Sequence, residues 1–318
     1  MGIKQRKMDM NLPALIDVFV STKMTEGRSP HTIKWYRHML TTFTTWLDGK
    51  HRLAEFTLTT ARAFVAHLQA RSTRYEGHPM SKVKEGGLSP QTVHAFVRTL
   101  KVFSAWLAEE GFTPMDMLAK LKRPKLPETV IETLTDAEIG RILDACNPKT
   151  FLGARMQTII LTLLDTGVRA DELLTLKVDG VDLAGNRFKV TGKGNKERYV
   201  SFGTTTKKTL MRYLSLWRPE TDCLQVFTST DGQSLTHTAL AHMLTRLGQK
   251  VGIPRLHAHL FRHTFAVRFL MNGGDLVTLK LLLGHRDIST TQLYLKLTQS
   301  NVSAQYSANS PVDRLSKR

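Results

Sequence analysis

The second half of the sequence holds side chains that could act together on one phosphodiester. "DTGVRADELLTL" carries Arg169, with Glu172 three residues on, and "GKGNKER" carries Lys193. "HAHLFRHTFAVRFL" carries His259 and Arg262, and "GHRDISTTQLY" carries His285 with Tyr294 nine residues later. Two arginines can hold the non-bridging oxygens of one phosphodiester bidentately and offset the charge that grows in the transition state. A lysine can protonate a leaving alkoxide, and histidines can bond the phosphate or help deprotonate a hydroxyl. A tyrosine can attack phosphorus covalently and split one hard step into two. Each residue also has an ordinary reading. Arg169 beside Glu172 suits a structural ion pair, Lys193 a solvated turn, and His259 a satisfied buried histidine. Tyr294, among Leu293, Leu295 and Leu297, suits packing. Only the set specifies a reaction.

No Asp/Glu cluster suited to a pair of magnesium ions accompanies these residues, which disfavours two-metal chemistry. "HAHLFRH" has three histidines but no zinc spacing, and the Gly-Lys-Gly string lacks the phosphate-loop pattern. The expectation is a reaction with no metal and no cofactor.

The elements that must position the set are legible in outline. Gly167 marks a helix end just before Arg169, and His259 and Arg262, three residues apart, share one helix face. Alternating residues on both sides of a glycine-containing turn predict a hairpin over 187–202, with Lys193 at its tip. Thr135 and Glu138 form a capping box that starts a fresh helix. The first part reads as helical. Ser29–Leu47 opens with Ser-Pro and then places Ile33, Tyr36, Leu40, Phe43 and Leu47 on one stripe. Ser89–Leu107 repeats that pattern, Phe103 matching Phe43 and Trp106 matching Trp46, and 58–70 reads as a further helix. "RSTRYEGHPMSKVKEGG" reads as an exposed basic loop. Pro124 and Pro127 among basic residues predict an extended linker. The expected organisation is a helical DNA-binding domain over 1–122, a linker over 123–133 and a catalytic domain over 134–318. The fold class is mainly α with a small β-sheet, arranged as a two-domain clamp.

Charge names the partner class. Lys and Arg total 45 against 27 Asp and Glu, a formal net charge of +18. That balance disfavours a small-metabolite enzyme and favours a polyanionic partner, nucleic acid or an anionic membrane surface, and the spread of Lys and Arg along the whole chain fits nucleic acid better. No apolar run is long enough to span a membrane, and the first residues lack the apolar segment of a signal peptide, so a cytoplasmic protein with no membrane partner is expected. Cys146 and Cys223 stand far apart, outside any metal spacing, and read as reduced packing residues.

The ordered set Arg169, Lys193, His259-x-x-Arg262, His285 and Tyr294 resembles the signature of the tyrosine recombinases, the phage-integrase family. "TGVRADELLTL" resembles its first arginine box, "HLFRHTFAVRFL" its histidine–arginine box, and "LLGHRDISTTQLYLKL" the box that ends in the nucleophile. Ser29–Leu47 resembles the family's core-binding region, so the likeness runs over nearly the whole chain. The resemblance implies that Tyr294 attacks a DNA phosphate, leaving a 3′-phosphotyrosyl link and a free 5′-hydroxyl. It implies that Arg169 and Arg262 clamp the phosphate, Lys193 is the general acid, and His259 and His285 assist. Glu172 would orient the site. Retention of the bond energy in the covalent link makes ATP unnecessary. It further implies a homotetramer on two duplexes with a specific recombination site, acting through a four-way junction, and a segment after Tyr294 that docks on a neighbour. The early start of the core-binding pattern leans toward a simple, Xer-like recombinase. Tyr306 is a poor rival nucleophile, at the wrong distance from His285. Two alternatives stay open: DNA relaxation by a type IB topoisomerase, and a non-catalytic DNA-binding protein on the same scaffold.

Overall fold

The chain divides into two compact units, residues 1–129 and 130–318. The structure, a computed structural model, describes residues 10–74, 83–127, 131–192, 196–285 and 287–294. Lys193, the whole segment after Tyr294 including Leu295, Leu297 and Tyr306, and part of the 123–133 linker lie outside them. No helix among the described residues is long and apolar enough to cross a membrane.

The first unit is built from α1 (Leu12–Thr25), α2 (Pro30–Trp46), α3 (Leu58–Ala70) and α4 (Pro90–Glu109). The two Ser-Pro starts cap in the same way. Ser29 Oγ accepts the Thr32 N–H at 3.3 Å, and Ser89 Oγ accepts that of Thr92 at 3.2 Å. The matched Phe43 and Phe103 are both buried, and Phe56 lies edge-on to each of them. These aromatics are core, their rings meeting edge-on at Phe56 and stacked on Trp46 and Trp106, arrangements compatible with the ring quadrupole. The stretch after α3, expected to be irregular, carries a two-residue antiparallel ladder, β1 (Thr73–Arg74) with β2 (Lys84–Glu85). Strands this short offer no alternation for a sequence to display.

The second unit begins with α5 (Asp136–Asp144), where Thr135 and Glu138 form the expected capping box. The buried helix α6 (Phe151–Thr166) runs into Gly167, and α7 (Ala170–Leu174) follows. Three strands then form an antiparallel sheet in the order β3 (Val181–Asp182), β4 (Arg187–Thr191), β5 (Glu197–Ser201). Arg187 pairs with Ser201 and Thr191 with Glu197. Phe188, Val190 and Val200 face the core, which is the alternation that announced the hairpin. The third strand, β3, was not foreseen. The Asp165 carboxylate ties the sheet back to α6 by accepting Gly203 N–H and Thr206 Oγ1–H, each at 2.6 Å. Helices α8 (Thr204–Arg212), α9 (His237–Lys250), α10 (Ala258–Met271), α11 (Leu276–Leu283) and the short α12 (Ser289–Gln292) complete the unit. Both cysteines are free, Cys146 buried in this core.

Candidate active site

Two left-handed glycines set the backbone on which the site is built. Gly167 ends α6 at φ +60°, and Gly284 ends α11 at φ +63°. Their tight turns present the carbonyls of Gly167, Leu283 and Gly284 to arginine side chains. A Cβ on Gly167 would fall 2.3 Å from the Phe265 ring, and one on Gly284 would fall 3.0 Å from the Arg198 guanidinium carbon. Gly167→Ala is therefore expected to destabilise the second unit by about 2 kcal/mol or more, from αL strain and overpacking together. Chemical denaturation of wild type and variant measures it; an unchanged midpoint would contradict this account of the turn.

Arg169 and Arg262 converge on one carbonyl oxygen. Arg169 Nη1 donates to Leu283 O at 3.2 Å and Arg262 Nη2 to the same oxygen at 2.7 Å. Arg169 Nη2 also donates to Gly284 O at 3.3 Å, and Arg262 Nη1 to Gly167 O at 2.6 Å. Arg262, on α10, is 2% exposed, whereas Arg169 keeps partial access to solvent. Burial, together with the Arg169 charge beside it, pulls the Arg262 pKa down to about 10. Two like charges held this close favour any anion that can sit against both.

Glu172 is the carboxylate that keeps the arginines together. It is 2% exposed and accepts the Arg169 backbone N–H at 2.8 Å and Arg169 Nη1–H at 3.0 Å. It also accepts a bidentate pair from Arg198, at 2.6 and 3.0 Å. Burial works to raise its pKa, but the Arg198 and Arg169 hydrogen bonds and charges outweigh it and hold the carboxyl below its ordinary value. Its stabilisation is thus present above the ordinary carboxylate range and lost as pH falls through the depressed value. Glu172→Gln should cost about 2 kcal/mol, less than for a fully buried pair because Arg169 and Arg198 reach solvent. The loss should shrink toward low pH; a denaturation series against pH checks it, and a pH-independent difference would exclude the charge pairing as its source.

Arg198 went unnoticed in the sequence. It lies on β5, in the second strand of the hairpin, and its Nε donates to Leu282 O at 3.3 Å. One guanidinium thus links the hairpin, Glu172 and the end of α11. The signal available was its register: two residues before core-facing Val200, it shares that inward face, next to a turn already of interest.

His285 is oriented from both sides. Its Nε2 accepts from Arg262 Nη2 at 2.8 Å, which leaves Nδ1–H to donate to Thr291 Oγ1 at 2.9 Å. Burial, followed by the Arg262 and Arg169 charges, lowers its pKa to about 4, so the ring is neutral near pH 7. His259 is exposed on α10, its ring edge-on to His263 with centroids 5.4 Å apart.

Tyr294 is buried in the second unit. It sits in a turn beyond α12, 3% exposed, its ring in the small cluster of Ala266, Val267, Leu270, Leu279 and Leu283. Leu293 points outward. The Tyr294 hydroxyl bonds His263 Nδ1 at 2.9 Å, while His285 bonds Arg262 and Thr291 instead. Burial raises the Tyr294 pKa, against the pull of the Arg262 and Arg169 charges. His263 was read in the sequence only as part of a histidine-rich string, although its i+4 relation to His259 put it on the same helix face. The structure thus joins Arg169, Glu172, Arg262 and His285 through shared partners, with Tyr294 bound next to Arg262 on α10. Lys193 lies outside the described residues. Among those residues no group of three or more His, Cys, Asp or Glu could hold a metal ion.

The phage integrase family profile matches residues 132–301, which include every one of these side chains. The chain is 30% identical to tyrosine recombinase XerC of Oceanobacillus iheyensis over 310 residues, covering 94% of this chain and 97% of that protein. It is 31% identical to tyrosine recombinase XerD of Listeria innocua over 292 residues, covering 90% and 94%. In fold it is similar to the Tn1549 transposon integrase solved with circular intermediate DNA, with a TM-score of 0.72 at 17% identity, covering 90% and 94%. With arginines, histidines and tyrosine gathered in the second unit and likeness along almost its full length, this chain belongs to the phage integrase family, the tyrosine recombinases, enzymes that cut and rejoin DNA strands.

Proposed function

We propose that Tyr294 is the nucleophile of a site-specific recombinase and that Arg169 and Arg262 clamp the scissile phosphate. The observation that carries this reading is the convergence of both guanidiniums on Leu283 O, with His285 bonded to one of them. Arg169 and Arg198 pair with the Glu172 carboxylate and Arg262 feels its charge, so three guanidiniums against one carboxylate leave surplus positive charge for a phosphodiester. Charge-assisted bonds there would strengthen as negative charge grows on the non-bridging oxygens. His259 and His285 assist at the phosphate, and Glu172 orients the arginines. Lys193 enters as general acid on the family resemblance alone. The substrate is double-stranded DNA with a specific site, handled by a homotetramer on two duplexes through a four-way junction. The place of action is the cytoplasm, at the nucleoid. The domain division is read as a helical DNA-binding domain, a basic linker near 123–133, and the catalytic domain.

The test is recovery of covalent complexes. The purified chain is incubated, with chelator present, with fragments of DNA flanking its own gene, and protein-bound DNA is recovered under denaturing conditions. The expected product has a 5′-hydroxyl that kinase labels directly and a 3′ end blocked by protein. A protein-linked 5′ end, or no adduct on any fragment, would overturn the reading.

A further inference from the structure

The buried nucleophile has a partner that no role above uses. Tyr294 Oη lies 2.9 Å from His263 Nδ1, and the rings meet at 5.7 Å between centroids. His263 is half-buried on α10, next to Arg262 and one turn after His259. We propose that His263 is a further catalytic residue, whose Nδ1 takes the Tyr294 proton as the phenol oxygen attacks phosphorus. This rests on the assignment of Tyr294 as nucleophile.

The other histidines of the site are occupied or distant in bonding. His285 uses Nε2 to accept from Arg262 and Nδ1 to meet Thr291, so it has no lone pair directed at the phenol. His259 makes its recorded contact with the His263 ring. His263 therefore already holds the position a general base must have, within hydrogen-bond reach of the proton it removes. Protonation states agree with that role. Burial keeps the phenol un-ionised, so Tyr294 O–H donates and Nδ1 accepts. Burial, then the charges of His259, His257 and Arg262, holds the His263 pKa at about 4. A phosphodiester seated on Arg169 and Arg262 would bring negative charge to the same neighbourhood and raise the proton affinity of the imidazole when it is needed.

The step balances without an added reagent. The Tyr294 Oη–P bond forms and the P–O5′ bond breaks; the phenol proton moves to His263 Nδ1, and the 5′ oxygen leaves with a proton from the general acid. In rejoining, a 5′-hydroxyl attacks phosphorus as its proton passes back to the deprotonated general acid, the P–Oη bond breaks, and His263 returns its proton to the departing phenolate.

His263→Asn separates proton transfer from positioning. Asn keeps an acceptor near the place of Nδ1 but takes no proton. Single-turnover adduct formation on a recovered target fragment should fall by about 10²-fold or more, with DNA affinity within about threefold of wild type. Rejoining from the purified covalent complex should fall by a similar factor, because the same group must act in reverse. Replacing Tyr294 with a fluorinated tyrosine, whose more acidic phenol needs less help, should shrink the Asn defect by about tenfold. His263→Gln serves the same comparison should the Asn variant not fold. Adduct formation by either folded variant within about threefold of wild type would overturn the proposal, as would a defect that fluorotyrosine leaves unchanged. Adducts formed by Tyr294→Phe would instead overturn the nucleophile assignment itself.

Discussion

Tyr294→Phe is expected to abolish covalent attachment to DNA while leaving folding and DNA binding almost intact. The phenyl ring carries the packing against Leu279, Leu283 and Leu270, and phenylalanine keeps it. The loss is one hydroxyl bonded to half-buried His263, worth about 1 kcal/mol or less, since solvent can serve the imidazole instead. The chemical loss is total because no oxygen remains to attack phosphorus. Denaturing electrophoresis of protein incubated with a labelled target fragment reads the adduct, and equilibrium binding to the same fragment reads affinity. Any protein–DNA adduct in the Phe variant would show that another residue is the nucleophile.

Arg262→Lys is expected to damage catalysis and stability together, and Arg169→Lys mostly catalysis. Arg262 donates from a buried position to Gly167 O, Leu283 O and His285 Nε2. A lysine ammonium keeps the charge but cannot reproduce that fork. Losing two or three such bonds should cost about 2–4 kcal/mol, and losing a transition-state donor should slow cleavage by about 10²–10³ or more. Arg169 keeps solvent access and makes longer bonds to Leu283 O and Gly284 O. Its lysine variant should lose at most about 1–2 kcal/mol of stability, yet a comparable factor in cleavage. Denaturant midpoints and single-turnover cleavage at saturating DNA separate the two effects. Near-normal cleavage by both folded variants would remove the phosphate clamp from the mechanism.

Much of this was legible in the sequence because local chemistry and periodicity carry it. The Ser29 and Ser89 caps, the Thr135–Glu138 box, the Gly167 helix end and the alternation of β4 and β5 are interactions between residues close in the chain. The ordered arginines, histidines and tyrosine pointed to phosphoryl transfer on DNA for the same reason: residue type and order survive without coordinates. The two-residue strands were invisible because pairing at that length leaves no pattern.

What the sequence alone determined is the inventory: which groups exist, on which elements, and that a chain of this charge works on a polyanion. Only the tertiary structure decided the pairing. Arg198 joins Glu172 across 26 residues, Arg262 finds Gly167 O across 95, and His263 finds the Tyr294 hydroxyl across 31. Such bonds depend on how α10, α11 and the hairpin pack, and a buried donor takes whichever acceptor the packing presents. The nine-residue step from His285 to Tyr294 suggested two groups meeting at one point. Packing decided the partner of each: the imidazole meets Arg262 and Thr291 and the tyrosine hydroxyl meets His263, because the apolar ring is held under α10 and α11 while its one polar atom must still be satisfied.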